Sequence, residues 1–428
     1  MAEQPRGALS AVRACLWPPG RTGASIGAFL VPGVALWLPS GYSWGAAWLL
    51  LCALAGMHQW WRRPLDARTQ VLGGLILLQG LLWSLDTGPH PGLASPEPLL
   101  KYVGALACLA FLMAAPPRPQ ALWAGLAVGG VGSGILALVE TAGLGLERAH
   151  GFTNAIQYGN LSLLLGLMAL VVLLTTWVQL STLQRGWLAA GAALGLLGSM
   201  LSQTRGSWVT LLLVAPMLAL VLTRRGMGRR VFGAALAVGL SGALAWPFVH
   251  TELQKRVESA SNEVNAYVER HDAVSSIGQR LEHWRLAARM AAERPLLGWG
   301  GDYQGEMQRQ VSAGLADPFV LKFSHAHNEW LDMAARRGLV GVFLLLLYLL
   351  VPAWLFWPAR AQADDALGPT RLALSLVGLL LPLGYFGFGL TQVFFSHNSG
   401  HLFYLFMLIL VHASLAGLGA APAAQEAC

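Results

Sequence analysis

Apolar stretches of roughly 16 to 22 residues recur along the chain, long enough to cross or nearly cross a bilayer. They fall at about 22–39, 42–60, 69–86, 98–115, 120–141, 157–178, 186–202, 207–223, 231–249, 338–357, 371–391 and 401–418. The pattern predicts an all-α polytopic membrane protein with about twelve transmembrane helices, and an even number puts both termini on one side. One segment departs from it. From about His250 to Gly338 the chain turns polar, with acidic and basic residues nearly in balance, as in a small folded soluble element. Two helices are readable there, at about 250–270 and 277–294. The second has a capping-box start, Ser276 with Gln279 three residues on, and ends before Pro295 and the glycines Gly298, Gly300 and Gly301. A third is expected from near Ser324 through Arg337 into the tenth apolar stretch. The expected organisation is nine N-terminal transmembrane helices in 1–249, a large helical loop in 250–338 and three C-terminal helices in 339–428.

Composition narrows the class. Only 11% of the 428 residues are charged, less than half the roughly 25% of soluble domains, which excludes an ordinary soluble enzyme. The 55% hydrophobic content excludes disorder. Fifty glycines and seventeen tryptophans suit membrane helices that approach closely and carry indoles at the interface. The net charge of +7 resides in scattered arginines, with no basic run interleaved with aromatics, so nucleic acid is not an expected partner. Arg62, Arg63, Arg68, Arg118, Arg185, Arg224, Arg225, Arg229, Arg230, Arg360 and Arg371 fall in alternate loops on the side of the basic N-terminus. The short loops opposite carry only Lys101, Arg148 and Arg205. By the positive-inside rule the termini are cytoplasmic and the large loop lies on the outer face. The N-terminus lacks a short apolar region followed by a small-residue cleavage site, so a removed signal peptide is not expected. Cys15 and Cys428 lie in the tails, and Cys52 and Cys108 lie in apolar stretches, so no disulfide framework is suggested.

The outer side offers a small set of chemical groups. At about 100° per residue, Glu282, Arg285, Arg289 and Glu293 share one helix face, which reads as solvated. Arg280 projects to the opposite face beside Trp284, Ala287 and Ala291, where a guanidinium is costly unless an anion or carboxylate meets it. The plain alternative is an internal salt bridge. On the third helix His327, Leu331, Ala334 and Gly338 align, and Glu329, Asp332 and Arg336 face away. A histidine in a first helical turn is held neutral and able to accept a proton, although a buried structural histidine fits the same pattern. His325 and His327 lack a third partner with metal-ligand spacing, so no metal and no cofactor are expected. Arg205 sits in the turn Ser202-Gln203-Thr204-Arg205-Gly206-Ser207, and Arg148 in the loop Arg148-Ala149-His150-Gly151-Phe152-Thr153-Asn154; headgroup snorkelling or interface anchoring would explain either. His397, Asn398 and His401 belong to the site or cap the twelfth span. Three arginines and a histidine face outward where carboxylates are few, and no Asp-x-Asp pair occurs. Guanidinium groups hold phosphate oxygens bidentately, so the chemistry implied is metal-free displacement of a lipid pyrophosphate.

His327-Asn328, nine residues, then Gly338-Leu339-Val340-Gly341 matches H-[NSQ]-x9-G-x-x-G and resembles the bacterial O-antigen ligase family. The short Thr-Arg-Gly turn, the large loop, the Arg280 helix ending in Pro295-Leu-Leu-Gly-Trp-Gly, and Arg148-x-x-Gly-Phe-x-Asn follow in the same order. The resemblance covers roughly 140–345. It departs at Val209, where leucine is frequent. The resemblance implies a metal-independent, inverting glycosyltransferase of the GT-C type in the bacterial inner membrane, with its site facing the periplasm. It would move O antigen from undecaprenyl pyrophosphate onto the lipid A core oligosaccharide during lipopolysaccharide biosynthesis. Arg205 and Arg280 would hold the pyrophosphate and His327 would be the general base. Arg148 is a further phosphate ligand by the same resemblance, and Asn328 and His325 are candidate substrate contacts. An O-antigen polymerase or a protein O-oligosaccharyltransferase shares the histidine signature. The latter usually carries more soluble mass near its C-terminus, whereas about ten residues here follow the last span. A secondary transporter would leave the polar loop unexplained, and Glu140 is the sole ionisable residue expected at mid-bilayer depth.

Overall fold

A computed structural model describes residues 20–270, 273–358 and 367–419; Cys15, Cys428 and Arg360 lie outside them. The described chain is helical apart from one antiparallel pair of two-residue strands, β1 (Leu85–Asp86) and β2 (Gly92–Leu93). The long helices are α1 (Arg21–Gly33), α2 (Gly41–Ala55), α3 (Ala67–Ser84), α4 (Pro96–Ala114), α5 (Pro119–Leu138), α6 (Ala155–Thr176), α7 (Thr182–Leu201), α8 (Arg205–Leu222) and α9 (Gly228–Arg270). They continue with α10 (Ser276–Glu293), α11 (Tyr303–Ser312), α12 (Glu329–Leu355), α13 (Gly368–Gly389) and α14 (Asn398–Gly419). Among the described residues seven spans are long and apolar enough to cross a membrane, which makes this a polytopic membrane protein. One of the seven, Arg205–Ala237, joins α8 to the start of α9 through non-helical backbone at Arg225 and Gly226. The apolar helix α2 is shorter than the others.

Side-chain caps explain where several helices begin. Asp66 accepts the backbone N–H of Arg68 and Thr69 at the start of α3, Asn154 accepts those of Ile156 and Gln157 at α6, and Ser181 with Gln184 forms a capping box at α7. Small residues explain how closely the helices pack. A Cβ on Gly130 of α5 would lie 2.2 Å from the Gly191 carbonyl oxygen of α7, so that crossing requires glycine. Helix α6 is buried along most of its length.

The polar segment 250–338 differs in detail from the sequence expectation. The ninth apolar stretch and the expected loop helix at 250–270 are one 43-residue helix, α9. Helix α10 is capped by Ser275, whose hydroxyl accepts from Gly278, one residue before the expected cap. Helix α12 begins at Glu329 rather than near Ser324, because Asn328 takes the cap position and accepts from Trp330 and Leu331. The loop has a core of its own, built from Leu286, Ala287, Met290, Tyr303, Met307, Val320, Ala326 and Ala335. Glu140 does not sit among mid-bilayer groups: at the end of α5 it accepts the backbone N–H of His150 and Gly151 and so ties down the Arg148 loop.

Candidate active site

His327 precedes the cap of α12 and adopts a left-handed backbone with φ of 52°. It is therefore not in a first helical turn, and its surroundings rather than the helix terminus set its protonation. Its ring lies 4.3 Å from the His325 ring, 4.9 Å from Phe323 and 5.7 Å from His283 between centroids. Burial first, then His325, His283 and Arg280, push its pKa down to about 3, so the ring is neutral at physiological pH. Nδ1 lies 3.1 Å from Gln392 Oε1, an oxygen that also accepts from the Val393 N–H. An acceptor at that distance requires the hydrogen on Nδ1, and Nε2 is left with its lone pair to receive a proton.

The backbone around His327 is held from both sides by carboxylates that the sequence had placed on the face turned away from His327. Glu329 is buried, and Oε2 accepts the N–H groups of Phe394 and Phe395. Asp332 is buried too; it accepts from the Ala326 N–H at 2.9 Å and from Arg336 Nε at 2.8 Å. Arg336 in turn donates to the Ser324 carbonyl and lies over the Tyr303 ring. Asn328 donates from Nδ2 to the Leu390 carbonyl, 3.1 Å away. These contacts press the 324–328 segment against the 390–395 turn, which delivers Gln392 to His327.

Gly338 interrupts α12 with φ of 61° and ψ of −160°, a conformation reserved in practice for glycine. A Cβ there would lie 2.3 Å from the Leu296 backbone. At the break, Leu339 and Val340 donate to the Pro295 and Leu296 carbonyls, and Trp299 donates to Ala335. The Pro295–Gly301 segment thus crosses α12 as a strap. The strap is fastened below by Thr87, which donates to Leu297, and by Asp86, which accepts from Gly301.

The arginines gather next to this histidine. Arg280 is half-buried one helical turn before His283 on α10. Its guanidinium is pulled below its ordinary pKa by burial, then by the charges of Arg205 and Arg148, with Glu263 opposing. The sequence-predicted trio is therefore close enough to interact. Arg205 is exposed at the first position of α8, where Gly206 packs so tightly that a Cβ would meet Thr391 Oγ1 at 2.2 Å, next to Gln392. Arg148 donates from Nε to the Ser202 carbonyl at 2.9 Å, which fixes its loop to the Arg205 turn. Neither Arg205 nor Arg280 forms an ion pair with a carboxylate among the described residues. The salt-bridge alternative for Arg280 is not found there; the carboxylate that acts on it, Glu263, does so without an ion pair.

Sequence reading missed His283, Gln392, Glu329 and Asp332. His283 had a usable signal, three residues from Arg280 on the same side of α10. The face of Glu282, Arg285, Arg289 and Glu293 is solvated in part: Arg285 and Glu293 are exposed and Arg289 is half-buried. Glu282 is buried, accepting from Tyr267 and the Asp317 N–H; Arg285 and Arg289 donate to the Leu315 carbonyl, and Glu293 accepts from Gln310.

Residues 190–346 match the family model described as O-antigen ligase. Over this segment the chain is similar to the O-antigen ligase family. The segment contains Arg205, Arg280, His325, His327, Asn328, Gly338 and Gly341 and leaves Arg148 outside. An uncharacterized protein of Haemophilus influenzae is 27% identical over 278 residues, 64% of this chain and 67% of that protein. The O-antigen ligase match bears out the resemblance read from His327-Asn328 and Gly338 to Gly341, and it supports a function of the O-antigen ligase or polymerase type and glycosyltransferase-like activity at the level of the family.

Proposed function

We propose that the protein is an O-antigen ligase that transfers a polysaccharide from undecaprenyl pyrophosphate to the lipid A core oligosaccharide. The observation that carries this reading is the meeting of Arg148, Arg205 and Arg280 beside a neutral His327 with a free Nε2. The donor pyrophosphate is the anion that Arg205 and Arg280, which form no ion pair with a carboxylate among the described residues, would hold. Nε2 of His327 takes the proton of an acceptor hydroxyl as its oxygen attacks the anomeric carbon from the face opposite the pyrophosphate. The new C–O bond forms with inversion while the anomeric C–O bond to phosphate breaks. The electron pair departs on a phosphate oxygen, where Arg205 and Arg280 stabilise the charge without a metal. Gln392 holds the tautomer. Asn328 and His325 line the histidine's approach, and Arg148 orients the Arg205 turn and adds positive potential.

In this reading twelve helices in a GT-C type arrangement lie in the bacterial inner membrane. Both termini are cytoplasmic, and the 250–338 loop and the site face the periplasm. The 1–249 and 339–428 segments form the membrane body.

Substitution with purified enzyme tests the roles. His327→Ala is expected to lower transfer by about 10²–10⁴. Arg280→Gln and Arg205→Gln each should cost about 10²–10³, with Lys only partly restoring the bidentate contact. Offered lipid A core and lipid-linked glycan together, the enzyme should extend the core. Exclusive elongation of lipid-linked glycan would make it a polymerase, and full transfer by all three variants would remove the proposed site.

A further inference from the structure

A second cavity opens beside the histidines, with a volume of about 690 Å³, within the range of ligand sites. It is lined from the outer ends of α3, α4 and α14 and from the Arg148 loop, and none of the arginine trio contributes to it. Three nitrogens on its wall are buried and have no hydrogen-bond partner among the described residues: Trp83 Nε1, His397 Nε2 and His401 Nε2. His401 is only 7% exposed. Buried polar groups in folded proteins almost always have a partner, so these three nitrogens call for a hydroxyl or a water that the protein does not supply. Tyr42, Trp83 and Phe152 provide aromatic surface on the same cavity, and Phe152 is about half exposed. Polar nitrogens set among aromatic faces suit a sugar ring, whose rim bonds in its plane and whose faces are C–H surface.

Lys101 adds a charge. Its ammonium donates to Glu97 Oε1 at 2.6 Å and to Asn398 Oδ1 at 2.8 Å. An ammonium has three hydrogens, so one donor is left for an anionic substituent at the cavity. The position is also informative. The His397 ring lies 6.0 Å from the His325 ring, which lies 4.3 Å from His327. Arg280 acts on His327 from α10, the helix that also carries His283. An inverting displacement needs nucleophile and leaving group on opposite faces of the anomeric carbon. A ligand entering past His397 and His325 approaches from the nucleophile's side.

We propose that this cavity binds the acceptor, a hydroxyl-rich saccharide carrying a phosphate or carboxylate that meets Lys101. The proposal rests on the transferase reading above. Its test uses the full-length protein in nanodiscs and two probes. One is the phosphorylated core oligosaccharide of de-acylated lipopolysaccharide, and the other is the same oligosaccharide after phosphatase treatment. Calorimetry should show that Lys101→Met weakens the phosphorylated probe by about tenfold or more and the dephosphorylated probe by less than about twofold, as expected for losing one charge-assisted bond. His401→Phe should weaken both. Undecaprenyl pyrophosphate should bind both variants as it binds the wild type, which also shows that they are folded, and Arg280→Gln should give the reverse pattern. Unchanged oligosaccharide affinity in both variants overturns the acceptor site, even if transfer proceeds. Loss of transfer function as a whole reads differently: wild type that binds oligosaccharide through Lys101 and His401 but never joins it to donor leaves the site standing and sinks the transferase reading.

Discussion

Burial beside His325, His283 and Arg280 holds His327 near a pKa of 3, far below the usual 6.5 or so. A base with that value is already deprotonated across the neutral range. The sign follows directly: activity through His327 is lost only as pH falls through its folded pKa, so its limb in kcat/KM lies well below about pH 5. Arg280→Gln removes one of the charges that depress it, so the residual activity of that variant should show the limb displaced upward. The pH profile of kcat/KM checks both. A wild-type limb near 6.5 that Arg280→Gln leaves in place would mean that His327 is solvated and the cluster is not coupled. At this scale much was legible in the sequence. His327, Arg205 and Arg280 stood out because a titratable or charged side chain on an apolar face or a short outer turn has few reasons to be there. Gln392 escaped notice because an uncharged amide in an apolar run carries no such penalty, although its oxygen meets Nδ1 of His327.

The helix that follows His327 is shaped by its ends and by its break. Asn328 caps it, Glu329 and Asp332 face inward to hold two separate loops, and Gly338 opens the ladder so that the Pro295–Gly301 strap bonds to freed backbone. Gly338→Ala puts a Cβ 2.3 Å from Leu296 in a backbone region that costs about 1–3 kcal/mol for other residues. It should lower thermal stability and loosen the strap, read as faster proteolysis near Leu296. Glu329→Gln keeps the shape but weakens two backbone bonds at the 392–395 turn, by roughly 1–3 kcal/mol in all. It should reduce transfer by misplacing Gln392 while leaving donor affinity near wild type. Wild-type activity in Glu329→Gln would show that the turn is held by other means. Periodicity alone grouped Glu329, Asp332 and Arg336 on one face, away from His327, without saying what that face meets. Spacing reports which residues share a side. What covers Glu329 comes from the 390–395 turn more than sixty positions away, and no local pattern encodes it.

At the scale of the molecule, the arginine-bearing loops gather at one end. Arg63 donates to the Ala114 carbonyl at the end of α4, the Arg118 N–H donates to Ser25 in α1, Arg225 donates to Pro358 after α12, and Arg230 donates to Leu174 near the end of α6. The candidate site lies at the other end, where Arg148 meets Ser202, Lys101 meets Asn398 and Asn328 meets Leu390. Arginine-rich loops resist translocation, so the first end is proposed to be cytoplasmic and the second periplasmic. Cysteine labelling distinguishes the two ends. Cys52 and Cys108 are buried and serve as a silent background once Cys15 and Cys428 are replaced by serine. Leu315 in the outer loop and Arg62 and Arg118 at the opposite end are exposed. A membrane-impermeant maleimide applied to bacterial spheroplasts should label Leu315→Cys at once, and Arg62→Cys and Arg118→Cys only after lysis. Labelling of Arg62→Cys from outside, or protection of Leu315→Cys until lysis, would invert the orientation and put the arginine cluster on the side where it could not meet a periplasmic donor.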